Sequence, residues 1–250
     1  MARSERLFHL VCGLLLVAGS VAFVWGGAQH PPTDTRLGAI GSDEFFRNFV
    51  RHVAAHSDWE LIHAGILAGP VCWALGGVGM ALRLRALGET RFGTLGLVAL
   101  AMGATAWTVA FVFDGFVALR IAKAIGSAVP GEAPALFAAF QANQVVVIRL
   151  GLVSLMLIGA GMAALGASML CTEAPGHAAQ RVLGVAGIAL GLWPAVACAA
   201  GVFRPGPFTS PAWATTAVLT AAWFLVAGLG LVVTGVRGEP PRGTALGPVT

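Results

Sequence analysis

Hydrophobic positions gather in six long runs, Leu7 to Gly27, Leu61 to Leu82, Phe92 to Leu119, Val145 to Leu170, Val182 to Phe203 and Trp213 to Val236. Each reaches the ~20 helical residues needed to cross a hydrocarbon core of about 30 Å. The runs lack the strict alternation of a closed β-barrel, and helices are the remaining way to satisfy backbone groups in lipid. The pattern therefore predicts an all-α fold: a polytopic integral membrane bundle of six transmembrane helices, forming one domain over residues 1–237. Residues 238–250 read as a disordered tail.

Polar positions dominate the connection 28–60 until Ser42-Asp43-Glu44, an N-cap followed by acids in a first helical turn. Phe45, Phe46, Phe49, Val50 and Val53 then recur at helical spacing, predicting an amphipathic helix over about 43–56 that lies in the interface or caps the bundle. Gln29-His30-Pro31-Pro32 delays that helix, because proline restricts itself and its predecessor. Ser57-Asp58-Trp59-Glu60 fits the S-x-x-E capping box and places the start of the second span. A second long connection, around 126–142, carries Pro130, Gly131 and Pro134, then enters a helix bearing Gln141, Asn143 and Gln144. Both exceed what joining two spans requires, and long structured loops are often functional.

Composition agrees with this picture. The chain has 250 residues, 57% hydrophobic and 10% charged, with mean hydropathy +0.83, whereas a soluble domain is about 25% charged. The net charge of +4 finds a partner in anionic lipid, so no nucleic acid is implied. The first run follows Arg3 and Arg6 like a signal peptide, but its apolar stretch is longer than the roughly 7 to 15 residues of a signal core, so it reads as a retained span. Six spans put both termini on one side. Arg83, Arg85 and Arg91 in the short second connection favour a cytoplasmic location for that side, in a bacterial-type inner membrane. Cys12, Cys72, Cys171 and Cys198 have no C-x-x-C spacing and read as inert thiols.

Asp114 is the acidic residue that falls inside a long apolar run. A charge at membrane depth costs about 2.5 to 3.5 kcal/mol on insertion scales and normally faces a partner or a wet cavity. His63, one turn into the second span, and Arg149, at the start of the fourth, lie at similar depth, with Gln144 and Asn143 close to Arg149. His63, Asp114, Gln144 and Arg149 are therefore the candidate ligand-binding residues, with a structural ion pair that fixes helix register as the competing use. His52, His56 and His63 would share one face of a continuous helix, as metal ligands do, but the capping box argues for a break before His63.

Trp25, Trp59 and Trp213 fall at span boundaries, where an aromatic belt forms, whereas Trp73, Trp107, Trp193 and Trp223 fall mid-span and serve core filling or lipid contact. Pro194 is expected to kink the fifth span. Gly65 and Gly69, and Gly187 and Gly191, supported by Gly76, Gly79, Gly159 and Gly161, permit close helix packing within the chain, with a second copy or with another membrane subunit. A bis-histidine haem is disfavoured, since His9 and His63 are in spans but at opposite faces. HExxH, Walker A, C-x-x-C and G-x-S-x-G sequences are missing.

The His-Pro of the first long connection, Trp59-x-x-x-His63 at the second span and Asp114-Gly115 ending the third together resemble a broad group of uncharacterised multi-pass bacterial membrane proteins. The likeness covers the first half of the chain and implies topology alone. The leading expectation is a non-enzymatic subunit that binds a small ligand or a membrane partner through an outward-facing polar pocket. A metal-dependent enzyme or redox subunit using a transition metal on His63 and Asp114 is the alternative, and a proton-coupled carrier the third.

Overall fold

The computed structural model describes residues 2–30, 37, 42–172, 178–203 and 210–237. The described chain is helical throughout: α1 Arg3–Gln29, α2 Asp43–Ala55, α3 Trp59–Ala86, α4 Arg91–Val112, a π turn Phe113–Val117, α5 Ala118–Ser127, α6 Ala133–Leu170, α7 Ala178–Phe203 and α8 Ser210–Arg237. Among the described residues, six segments are long and apolar enough to cross a membrane: Arg3–Gln29, Trp59–Ala86, Arg91–Ser127, Ala133–Leu170, Ala178–Val196 and Thr215–Arg237. This is an integral membrane helix bundle. The expected tail, the Pro31-Pro32 turn and the side chains of Trp213 and Cys198 lie outside the described residues.

The spans pack in chain order, α1 on α3, α3 on α4, α4 on α6, α6 on α7 and α7 on α8, and α8 returns to α1. Their shared core contains Phe23, Trp73, Trp107, Ile158, Met162 and Phe224. Small residues set the spacing. A Cβ on Gly159 would lie 2.5 Å from the Gly191 carbonyl oxygen, and one on Gly191 would lie 2.4 Å from that of Gly159, so α6 and α7 touch backbone to backbone. Gly65, Gly69, Gly76, Gly79, Gly161 and Gly187 likewise face other helices of this chain. α7 runs on through Pro194.

Two segments outgrow the membrane. Arg91–Ser127 has 37 residues and Ala133–Leu170 has 38, so each reaches roughly 55 Å at 1.5 Å per residue. The fourth span was expected from Val145; its helix starts at Ala133, because Phe137 and Phe140 pack against α2 and α5 instead of standing in a loop. The amphipathic helix forms as expected, with the Ser42 hydroxyl accepting from the Phe45 N–H at 3.1 Å. Its apolar face, Phe45, Phe46, Phe49, Val50 and Val53, is buried against Trp59, Ala118, Leu119, Ala122 and Phe140. It caps the bundle, and this second small core closes one end of the molecule.

Trp59 departs from expectation. In place of an interfacial anchor it is fully buried, since α2 and α5 cover the end of the bundle where lipid headgroups were expected to reach. The second span starts within two residues of the expected place, but Asp58 is the N-cap and makes no side-chain cap bond. Trp25 is 44% exposed, as a belt residue is. Trp73, Trp107 and Trp223 fill the core, and Trp193 is 58% exposed toward the lipid side.

Candidate functional site

The π turn decides where Asp114 points. One extra residue in the turn frees carbonyls from the regular ladder, and such turns recur at functional sites. Two carbonyls of the turn accept from side chains, that of Phe113 in addition to its bond from the Ala118 N–H. The Trp59 indole N–H donates to the Asp114 carbonyl at 2.9 Å, and the Asn143 amide donates to the Phe113 carbonyl at 3.3 Å. Gly115 completes the arrangement. A Cβ there would lie 2.5 Å from the Cβ of His63, so glycine is what lets α3 approach the turn.

The carboxylate that results is buried and surrounded. Asp114 Oδ1 accepts from the Gln144 amide at 3.1 Å. Its Oδ2 lies 3.1 Å from His63 Nε2 and 3.9 Å from His30 Nε2, with the three side chains 8%, 0% and 21% exposed respectively. The His63 Nδ1 lies 2.8 Å from the Trp59 carbonyl. A carbonyl can only accept, so Nδ1 carries the hydrogen and Nε2 is the nitrogen turned to Asp114. Trp59 thus orients both partners, one through its carbonyl and one through its indole. Its ring also lies 4.4 Å from that of His63 and 5.4 Å from that of His30, and Phe111 lies 5.8 Å from His63. The polar atoms sit inside an aromatic wall.

His63, Asp114 and Gln144 come together as the sequence suggested. Arg149 is half-buried on α6, five residues beyond Gln144, which turns it by about 140° around the helix from Gln144. The His52 and His56 rings meet at a tilt, 4.2 Å apart, and the His56 Nδ1 lies 2.8 Å from the His52 carbonyl. Trp59 contacts both rings on one side and His63 on the other. Among the described residues, the cluster whose possible metal-ligand atoms all lie within 4.8 Å of one another is His30, His63 and Asp114. His30 is the residue that spacing missed. Its signal was depth: α1 ends where α3 begins and where the third span ends, so a histidine following α1 shares their level.

A second buried carboxylate lies at the far end of the same span. Glu89 accepts from the N–H groups of Phe92 and Gly93 at 2.9 and 3.0 Å, and from the Ser168 hydroxyl. It closes the exposed N–H groups of α4. Burial opposes its charge, but the Ser168, Phe92, Gly93 and Arg91 hydrogen bonds outweigh that and hold its pKa below the usual carboxylate value.

No family model, curated protein or solved structure matches the chain. Function must be argued from the site.

Proposed function

We propose that this integral membrane protein is a binding protein, non-enzymatic in its basic role, which holds a small cationic ligand at the centre formed by His30, His63, Asp114 and Gln144. The observation that carries this reading is the convergence of one carboxylate oxygen and two imidazole nitrogens, brought from α1, α3 and the π turn, inside an aromatic enclosure. Fixing helix register needs one pair of groups. Here the groups come from separate segments, and they are acceptors as well as charges, which favours a positive ligand over an anion. The low-polarity wall strengthens any attraction inside it.

The same reading orients the molecule with both termini on the cytoplasmic side of a bacterial-type inner membrane and the centre toward the outside, supported by Arg83, Arg85 and Arg91 at the opposite end. Exposed Cys171 lies at that end, after α6. A membrane-impermeant maleimide is expected to label it only after the cells are permeabilised, with Cys171→Ser as the blank; labelling of intact cells would invert the topology.

Ligand binding is tested by thermal unfolding in detergent against a panel of divalent metal salts and protonated alkylamines. At least one class is expected to raise the midpoint of the native chain and to leave that of Asp114→Asn unchanged. A panel in which nothing distinguishes the two proteins would overturn the reading.

A further inference from the structure

Resting on the binding role just described, we infer that His30, His63 and Asp114 form a mononuclear site for a first-row divalent transition ion, with Gln144 and Trp59 as positioning residues. The His63 ring is fixed in one tautomer when neutral. Its Nδ1–H is committed to the Trp59 carbonyl, so in neutral imidazole the nitrogen 3.1 Å from Asp114 Oδ2 carries a lone pair. A lone pair facing a carboxylate oxygen at that distance, away from water, is repulsive unless something positive lies between them or beside both. His30 turns a second imidazole nitrogen toward the same oxygen.

A metal ion satisfies all three at once. Bonds of about 2.0 to 2.2 Å from imidazole nitrogen and carboxylate oxygen place neighbouring ligand atoms roughly 3.0 to 3.5 Å apart. The His63 to Asp114 separation of 3.1 Å already matches that spacing. His30, at 3.9 Å, needs a small inward shift. It follows the last residue of α1 in extended backbone and is the most exposed of the three, so it is also the ligand placed to make the shift.

The surrounding bonds are those a metal site uses. A ligating histidine commonly donates its other N–H to a backbone carbonyl, and a ligating carboxylate is commonly held by a further hydrogen bond. His63 donates to Trp59, and the Asp114 oxygen not needed by the metal accepts from Gln144. These bonds fix the ring and the carboxylate before the ion arrives. Two imidazoles and one carboxylate suit zinc, iron, nickel or copper(II), whereas calcium and magnesium prefer oxygen ligands throughout. Three protein ligands leave further coordination positions, as in metal sites that bind an exchangeable water or substrate.

The experiment is a metal titration of the full chain purified in detergent and stripped with chelator. Zinc is expected to bind at one equivalent per chain, and cobalt(II) to give visible d–d absorption at the same stoichiometry. His63→Gln, His30→Gln and Asp114→Asn are each expected to weaken zinc by more than about 100-fold, and Gln144→Leu by about 10- to 100-fold, the range for a residue that orients a ligand. His9→Gln, at the other end of the bundle, is expected to bind as the native chain does. Circular dichroism on each variant separates lost binding from lost folding. Binding that is absent, or indifferent to the three ligand variants, would overturn the metal site. Stabilisation by alkylamines through Asp114 without any metal binding would overturn this inference alone and leave the binding role standing; silence from both ligand classes would overturn both.

Discussion

Glu89 and Asp114 are the same chemical group, one buried just before the start of α4 and the other in the π turn that follows α4, and they are used in opposite ways. Glu89 is surrounded by donors that cannot leave: two backbone N–H groups and the Ser168 hydroxyl. Two of these bonds complete the start of α4, and the third ties that end to α6. Asp114 is met by one amide donor, Gln144, and by two imidazoles whose facing nitrogens can donate, accept or coordinate. Burial alone therefore does not identify a site. The partners do: fixed donors make a carboxylate structural, whereas groups able to change role leave it open to a ligand.

Exchanging the two acids is the hardest test of that contrast. Asp114→Asn is expected to lose zinc affinity by more than about 100-fold, as removal of a metal ligand exceeds the 10- to 100-fold effect of its supporting residues, while Glu89→Gln leaves affinity unchanged. Isothermal titration in detergent reads both. Equal losses would erase the distinction.

Stability should reverse the order. Glu89→Ala strands two N–H groups and a hydroxyl, each worth about 1 to 3 kcal/mol when buried without a partner, so a loss of about 3 kcal/mol or more is expected. Asp114→Asn, nearly isosteric, should lower the unfolding midpoint much less. A larger drop for Asp114→Asn would make it the structural acid.

The glycines beside the two acids give a smaller contrast. Gly115→Ala puts a Cβ 2.5 Å from His63 Cβ, and overpacking of this kind costs about 1 to 3 kcal/mol. It should also weaken zinc, by pushing α3 away from the π turn. At Gly93 the same change meets Ser168 Oγ at 3.3 Å and Glu89 Oε2 at 3.4 Å, so a milder loss confined to stability is expected. Zinc affinity unaffected by Gly115→Ala would show that the close approach is dispensable.

The smallest effect concerns acid. The Glu89 pKa is lowered in the fold, so its contribution is present above the ordinary carboxylate range and is lost as pH falls through the depressed value. Glu89→Gln should therefore flatten the acid limb of the stability profile measured by thermal unfolding. An unchanged limb would mean that other carboxylates control it.

Much of this was legible in the pattern of residues. Span number, the Ser42 cap and the apolar face of α2 follow from local periodicity, which membrane length and helix geometry read directly. Asp114 was visible because a charge in an apolar run is costly. Glu89 was not, because Gly88-Glu89-Thr90 reads as an ordinary turn and only the approach of Ser168 from α6 buries it. His30 was hidden for a similar reason, since its partners lie 33 and 84 positions away along the chain. A helix was expected to carry Gln141, Asn143 and Gln144, but its start at Ala133 was missed because Phe137 and Phe140 are satisfied by α2 and α5, contacts that no local window contains.

The π turn also makes the third span sensitive to its own length. It accommodates one residue more than a regular helix would over the same rise, and beyond it Ala118, Leu119 and Ala122 face α2. Deleting a single residue from Phe113–Val117 would let the ladder close as an ordinary helix and, since the turn holds its extra residue over the same rise, would leave α5 close to its present orientation. The turn itself would change: the Phe113 and Asp114 carbonyls would be drawn back toward the regular ladder, away from Asn143 and Trp59, and Asp114 would change direction in the same step. Substitutions here can be graded, but an insertion or deletion is all or nothing: the length of this segment is as much a part of the site as any side chain in it.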